Sequence, residues 1–206
     1  MKYNKINIPW SNPKLGKEEM EHIKESFKNQ RFTLGSKVKK FEKKISKYLK
    51  VKYAIAVNNG TIALDLALKT IGIKPGDEVI LPAITYFSTA SSISYQNATP
   101  VFVDVNLNNV NIDPSKIEEA ITKKTKAIIY IDYGGSPAEI DKINLIAKRN
   151  NLRVIQDAAQ SLGGIYKKKP LGSNSEISTM SFHMAKIITT IEGGMIFTNN
   201  KKYYED

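Results

Sequence analysis

Residues 53–64 read Tyr53-Ala54-Ile55-Ala56-Val57-Asn58-Asn59-Gly60-Thr61-Ile62-Ala63-Leu64, and this stretch decides the architecture. The first five are apolar and partly β-branched and read as a short strand; Asn58-Asn59-Gly60-Thr61 reads as a tight turn. An apolar helix then runs over 62–71. Working outward, the same alternation continues: strand 78–81, helix 88–95, strand 100–105, helix 114–121, strand 127–131, helix 138–150 and strand 153–156. Short apolar strands separated by helices of about ten residues are the pattern of βαβ units. The turns agree with it, with Lys74-Pro75-Gly76-Asp77 before one strand and Asp113-Pro114 opening a helix. Residues 177–182 and 194–198 form two further strands with no room for a crossover helix between them, so one of them must run antiparallel. The expectation is an α/β fold of three layers: a mostly parallel sheet with one antiparallel strand and helices on both faces.

Upstream, Ile23 and Phe27 are four apart among charges, and Val38, Phe41, Ile45 and Leu49 repeat the helical spacing. Two amphipathic helices are expected, separated by Arg31-Phe32-Thr33-Leu34-Gly35 and preceded by an extended arm over residues 1–16 that carries Pro9 and Pro13. The domain expectation is therefore an arm with two helices over 1–50 and one large domain over 51–206. The net charge of +11 sits mainly in the first fifty residues, where 13 Lys and one Arg face five Glu, leaving +2 for the rest. Only Arg31, Arg149 and Arg153 are arginines. With so few bidentate readers of phosphate and bases, the charge reads as a solvated lysine face, and no nucleic-acid partner is expected.

Composition narrows the chemistry further. With no Cys and two His, thiolate chemistry, disulfides and imidazole-rich metal sites are excluded, so no metal is expected. There is no apolar run of transmembrane length and no signal-peptide pattern, which points to a cytoplasmic protein without a membrane partner.

In a parallel sheet, ligands collect where strands end and helices begin. Four segments converge there. Gly60-Thr61 opens a helix whose N–H groups and dipole suit a phosphate, or it is merely a capping turn. Tyr86 follows a strand and could stack on a planar ligand, or could be a core aromatic. Asp157 ends a buried strand in Gln156-Asp157-Ala158-Ala159-Gln160, where it needs a cation or several N–H donors unless it is only an N-cap. Lys186 ends Ser181-Phe182-His183-Met184-Ala185-Lys186, and a desolvated lysine loses its proton more easily and becomes an amine nucleophile.

Taken with Pro75-Gly76-Asp77-Glu78-Val79-Ile80 and Glu192-Gly193-Gly194, these segments resemble the DegT/DnrJ/EryC1/StrS sugar aminotransferases, pyridoxal-phosphate enzymes of the aspartate aminotransferase fold. The resemblance implies that Lys186 joins the cofactor aldehyde and later moves the proton, while Asp157 pairs with the pyridine nitrogen. It implies that Gly60, Thr61 and Ser181 bind the phosphate, Tyr86 stacks on the ring and Gln160 hydrogen-bonds the ring oxygen. The implied reaction is transamination of a nucleotide-linked keto-sugar by glutamate, in a homodimer. Sugar-dehydrating relatives carry histidine at the position of Lys186, so dehydration is disfavoured. His183 reads as a packing or supporting residue.

Three positions depart from the family's usual pattern: Gln156 replaces an acid, Asp132 replaces a histidine, and Ile191 replaces a glycine. Asp132 is expected near the substrate. Full members continue beyond position 206, so a C-terminal small domain is expected to be absent. The alternative to an active enzyme is a truncated or split-gene fragment that is silent alone and acts as an assembly partner.

Overall fold

The computed structural model describes Pro9, residues 11–29 and residues 33–206. Most of the expected arm, together with Arg31 and Phe32, lies outside the described residues. Two helices come first, α1 (Lys17–Lys28) and α2 (Ser36–Leu49). Then follow β1 (Tyr53–Val57), α3 (Gly60–Thr70), β2 (Glu78–Pro82), α4 (Phe87–Tyr95), β3 (Thr99–Val103), α5 (Pro114–Ala120) and β4 (Thr125–Ile131). After a single 3-10 turn at Tyr133–Gly135 come α6 (Ile140–Arg149), β5 (Arg153–Asp157) and a small hairpin of β6 (Ile165–Tyr166) and β7 (Lys169–Pro170). The last elements are β8 (Ile177–Ser181), β9 (Gly194–Thr198) and α7 (Lys201–Glu205).

The main sheet has the order β1-β9-β8-β5-β4-β2-β3. Pairings among β8, β5, β4, β2 and β3 are parallel, whereas β9 is antiparallel to both β1 and β8. The expected antiparallel strand is thus β9, and β1 points the same way as the parallel set. No helix among the described residues is long and apolar enough to cross a membrane.

Alternation along the strands divides the core between the two sheet faces. Val79, Leu81, Ala127, Ile129 and Ile155 meet Ala63, Leu64, Ala67 and Leu68 of α3 and Ile93 of α4. The intervening Ile80, Ile128, Tyr130 and Val154 meet Ile117 of α5 and Ile143, Ile146 and Ala147 of α6. Because both faces are covered, the central strands are apolar at nearly every position rather than alternating with polar residues. The helix α2 inserts Ile45 and Leu49 among Met180, Phe182, Met195 and Phe197, and Phe41 meets the Phe182 ring edge-on at 5.0 Å. This helix is therefore built into the same packing as β8 and β9. In contrast, α1 has no buried residue.

Candidate active site

A cavity of about 350 Å³ opens where β1, β5 and β8 end. Its wall contains all seven residues singled out from the sequence: Gly60, Thr61, Tyr86, Asp157, Gln160, Ser181 and Lys186. It also contains Asn59, Ser88, Thr89, Thr179, His183 and Glu192. Of these, Ser88, Thr89 and Thr179 were not anticipated. Thr179 lies two residues before Ser181 on the same strand face, and Thr89 stands one helical turn after Tyr86, so element periodicity alone could have pointed to both.

One end of the cavity is built for an anion. Asn59 caps α3 by accepting from the Ile62 N–H at 2.9 Å, which leaves the Gly60 and Thr61 N–H groups at the open start of the helix. The Thr61 hydroxyl is held by Ser88 at 2.7 Å. Gly60 is there for closeness: a Cβ at this position would lie 2.9 Å from the Ser181 Cβ. The glycine thus brings the helix start against the Ser181 hydroxyl, and three donors converge on one spot with the positive end of the helix dipole.

The opposite wall carries the titratable groups. Asp157 is the last residue of β5, is 6% exposed, and accepts from the Ala159 N–H at 3.0 Å. No helix follows it directly, so it is a buried strand-end carboxylate rather than a helix cap. Burial pushes its carboxyl above the ordinary range, partly offset by the Ala159 hydrogen bond and by the charge of Lys186. Burial lowers the Lys186 ammonium, opposed by Asp157. Thr179 Oγ1 is buried on this wall with no hydrogen-bond partner among the described residues, so the site holds an unused polar group where a ligand would sit.

Lys186 rides on the loop between β8 and β9. That loop is closed at its base by Phe182 N–H to Gly193 O at 2.8 Å and Thr190 N–H to Phe182 O at 3.0 Å, and the Lys186 N–H returns to His183 O at 2.9 Å. His183 Nδ1 accepts from the Ala185 N–H at 3.2 Å, which puts the ring proton on Nε2, facing Glu192 Oε1 at 3.5 Å. Gln160 is oriented in a similar way. Its Oε1 accepts the Gly134 N–H at 2.7 Å, leaving its NH2 to donate. Tyr86 is 66% exposed and leans on Phe87 with ring centroids 4.6 Å apart, so it is a wall of the cavity and not a core aromatic.

Residues 13–206 match the DegT/DnrJ/EryC1/StrS aminotransferase family. The chain belongs to that family. It is 43% identical to the GDP-perosamine synthase of Escherichia coli O157:H7 over 206 residues, covering all of this chain and 56% of that protein. Among solved structures it is similar to the aminotransferase from Psychrobacter cryohalolentis, with a TM-score of 0.91 and 38% identity over 96% of this chain and 50% of that one. The Streptococcus pneumoniae protein Spr1654 in its PLP form gives a TM-score of 0.91 and 32% identity, over 95% of this chain and 54% of that one. The chain spans about half the length of the curated relatives it matches.

Two of the departures from the family pattern prove to be partners. Gln156 Nε2 donates to Asp132 Oδ2 at 2.7 Å. Asp132 is fully buried and is not on the cavity wall, so the expectation that it stands near the substrate is corrected: β4 ends just before it, and its side chain turns to the sheet face opposite the cavity. The third departure, Ile191, has φ 72°, in the left-handed region where glycine is free and a β-branched residue is strained.

Burial, with a small push from Asp157, raises the Asp132 carboxyl to about 6 against the hydrogen bonds from Gln156, Ala138 and Ser161. A carboxyl whose value is raised on folding binds a proton more readily in the folded chain than in the unfolded one. Stability from this group is therefore lost as pH rises from about 4 to about 6, on the order of 3 kcal/mol in total. Urea unfolding of the wild type and of Asp132→Asn across this window should give a difference curve that slopes downward with pH; a flat difference would show that Asp132 does not titrate there.

Proposed function

We propose that this family member holds pyridoxal phosphate in the cavity and uses it to transfer an amino group from glutamate to a nucleotide-linked keto-sugar. The observation that carries this reading is the convergence of a half-buried lysine, a buried carboxylate and a three-donor anion site on one cavity. The PLP form of Spr1654 and the GDP-perosamine synthase supply the cofactor and substrate class by likeness. The Gly60 and Thr61 N–H groups and the Ser181 hydroxyl bind the phosphate. Asp157 holds the pyridine nitrogen protonated; that N–H adds a second positive neighbour to the Lys186 charge that already offsets the carboxylate's burial. Tyr86 covers a ring face, and the Gln160 NH2 donates to the ring oxygen.

When bound, the cofactor supplies an electron sink for the charge left on the amino-bearing carbon when its proton departs. Lys186 supplies the amine that holds the cofactor and, once free, carries the proton away from the donor Cα. Its lowered proton affinity suits a group that must be a base near neutral pH. A lysine at this position favours transamination over dehydration. We read the molecule as a homodimer, because Tyr86, Phe87, Met184, Ile187 and Ile191, between 51% and 70% exposed, crowd the two segments that wall the cavity.

The test is spectroscopic. Pyridoxal phosphate mixed with the protein should give a visible band that glutamate bleaches with formation of pyridoxamine phosphate and 2-oxoglutarate. Protein that neither acquires the band nor retains the cofactor overturns the reading.

A further inference from the structure

Behind the cavity wall, the loop from Asp132 to Ala138 is stapled by two buried polar side chains. Asp132 Oδ1 accepts the Ala138 N–H at 3.1 Å, and its carbonyl accepts the Gly135 N–H at 3.1 Å. Asn111 accepts the Tyr133 N–H at 2.8 Å and donates to Ser136 O at 3.0 Å. The loop held this way offers the Gly134 N–H to Gln160 Oε1 at 2.7 Å. Gln156 is fixed in polarity from its far side: its Oε1 accepts both the Asn174 N–H at 3.1 Å and the Ser178 hydroxyl at 3.2 Å. Its Nε2 must therefore face Asp132, and position 132 must present an acceptor there.

We propose that Asp132 is a positioning residue for Gln160: its carboxylate, locked by Gln156 and Ala138, sets the turn that orients the Gln160 amide toward the bound cofactor. The proposal rests on the cofactor reading above only for what Gln160 then contacts. Asparagine at position 132 confronts the Gln156 NH2 with a second NH2 or gives up the Ala138 N–H, because one of its two polar atoms becomes a donor. Exchanging the pair restores the chain of bonds. In Asp132→Asn with Gln156→Glu, the new carboxylate accepts from Asn174, Ser178 and the new amide, while the side-chain carbonyl at position 132 accepts from Ala138.

Two measurements test this. Amide hydrogen exchange at Gly134 needs no cofactor, and it should quicken about tenfold or more in Asp132→Asn and return to within about threefold of wild type in the exchanged pair. The pyridoxal phosphate dissociation constant should rise about tenfold in Asp132→Asn, recover in the exchanged pair, and show no further rise when Asp132→Asn is added to Gln160→Ala. If Asp132→Asn does not fold, the folded exchanged pair decides: wild-type-like exchange at Gly134 supports the proposal, and a tenfold loss of protection overturns it. An equal penalty from Asp132→Asn with and without Gln160 also overturns it. Wild-type protein that binds no cofactor sinks the functional reading but leaves the exchange measurement intact.

Discussion

Substituting Lys186 by alanine should abolish the visible band acquired with pyridoxal phosphate and reduce amino transfer by on the order of 10⁴-fold or more, the scale of losing a covalent catalytic group. The chain has 28 lysines among its 31 basic residues, and any exposed amine can react with an aldehyde, so selectivity needs a physical cause. Among the described residues Lys186 is the one lysine on the cavity wall, and burial depresses its proton affinity while Asp157 keeps it from falling further. It therefore offers a larger fraction of free amine at neutral pH than a solvated lysine, beside the site proposed to hold the cofactor phosphate. Lys186→Arg separates charge from nucleophilicity, because the guanidinium stays protonated. It should lose the band like alanine. Both variants should still bind the cofactor without the covalent link, more weakly and removable by dialysis. A band of undiminished intensity in Lys186→Ala would place the link on another lysine and refute the assignment.

Most of the sheet could be read from the sequence because each βαβ unit announces itself locally: an apolar strand, a turn, a helix of regular spacing. The antiparallel strand followed from a negative fact, the lack of room for a helix between 182 and 194, and the structure identifies it as β9. The β6–β7 hairpin gave no signal. Its turn is Lys167-Lys168, with φ 46° and 69°, a conformation usually signalled by Asn or Gly and here adopted by two lysines. The cavity residues were legible where a side chain's chemistry is unusual for its place, as at Asp157 and Lys186. Hydroxyls such as Thr89 and Thr179 are ordinary residues in ordinary elements and become significant only by burial. The Asp132–Gln156 bond was invisible for a different reason: the two are 24 residues apart and meet only because β4 and β5 pair with Ile131 opposite Asp157. Two apparent departures from a family pattern are thus one matched pair of donor and acceptor.

Replacing Gly194 by alanine should cost about 3 kcal/mol or more of stability and weaken cofactor binding in whatever fraction remains folded, the combined outcome of overpacking and a displaced backbone. A Cβ at 194 would lie 2.2 Å from Asn59 O, 2.3 Å from Asn59 C and 2.8 Å from Gly60 N. All three are backbone atoms, so no rotamer change relieves the overlap. Something must move: the end of β9, which pairs Gly194 with Val57 of β1 and Ser181 of β8, or the start of α3. Either movement shifts the Gly60 and Thr61 N–H groups away from the Ser181 hydroxyl, which links the fold defect to the anion site. Gly72→Ala is the control that separates this mechanism from glycine chemistry in general. Gly72 has φ 85° and no atom within 4 Å of a built Cβ, so alanine there bears only the left-handed backbone cost of about 1–2 kcal/mol. Denaturant unfolding should therefore rank Gly194→Ala well below Gly72→Ala in stability, with cofactor affinity lowered in the first and unchanged in the second. Equal losses in the two would mean that close backbone approach at β9 is not what requires glycine at 194.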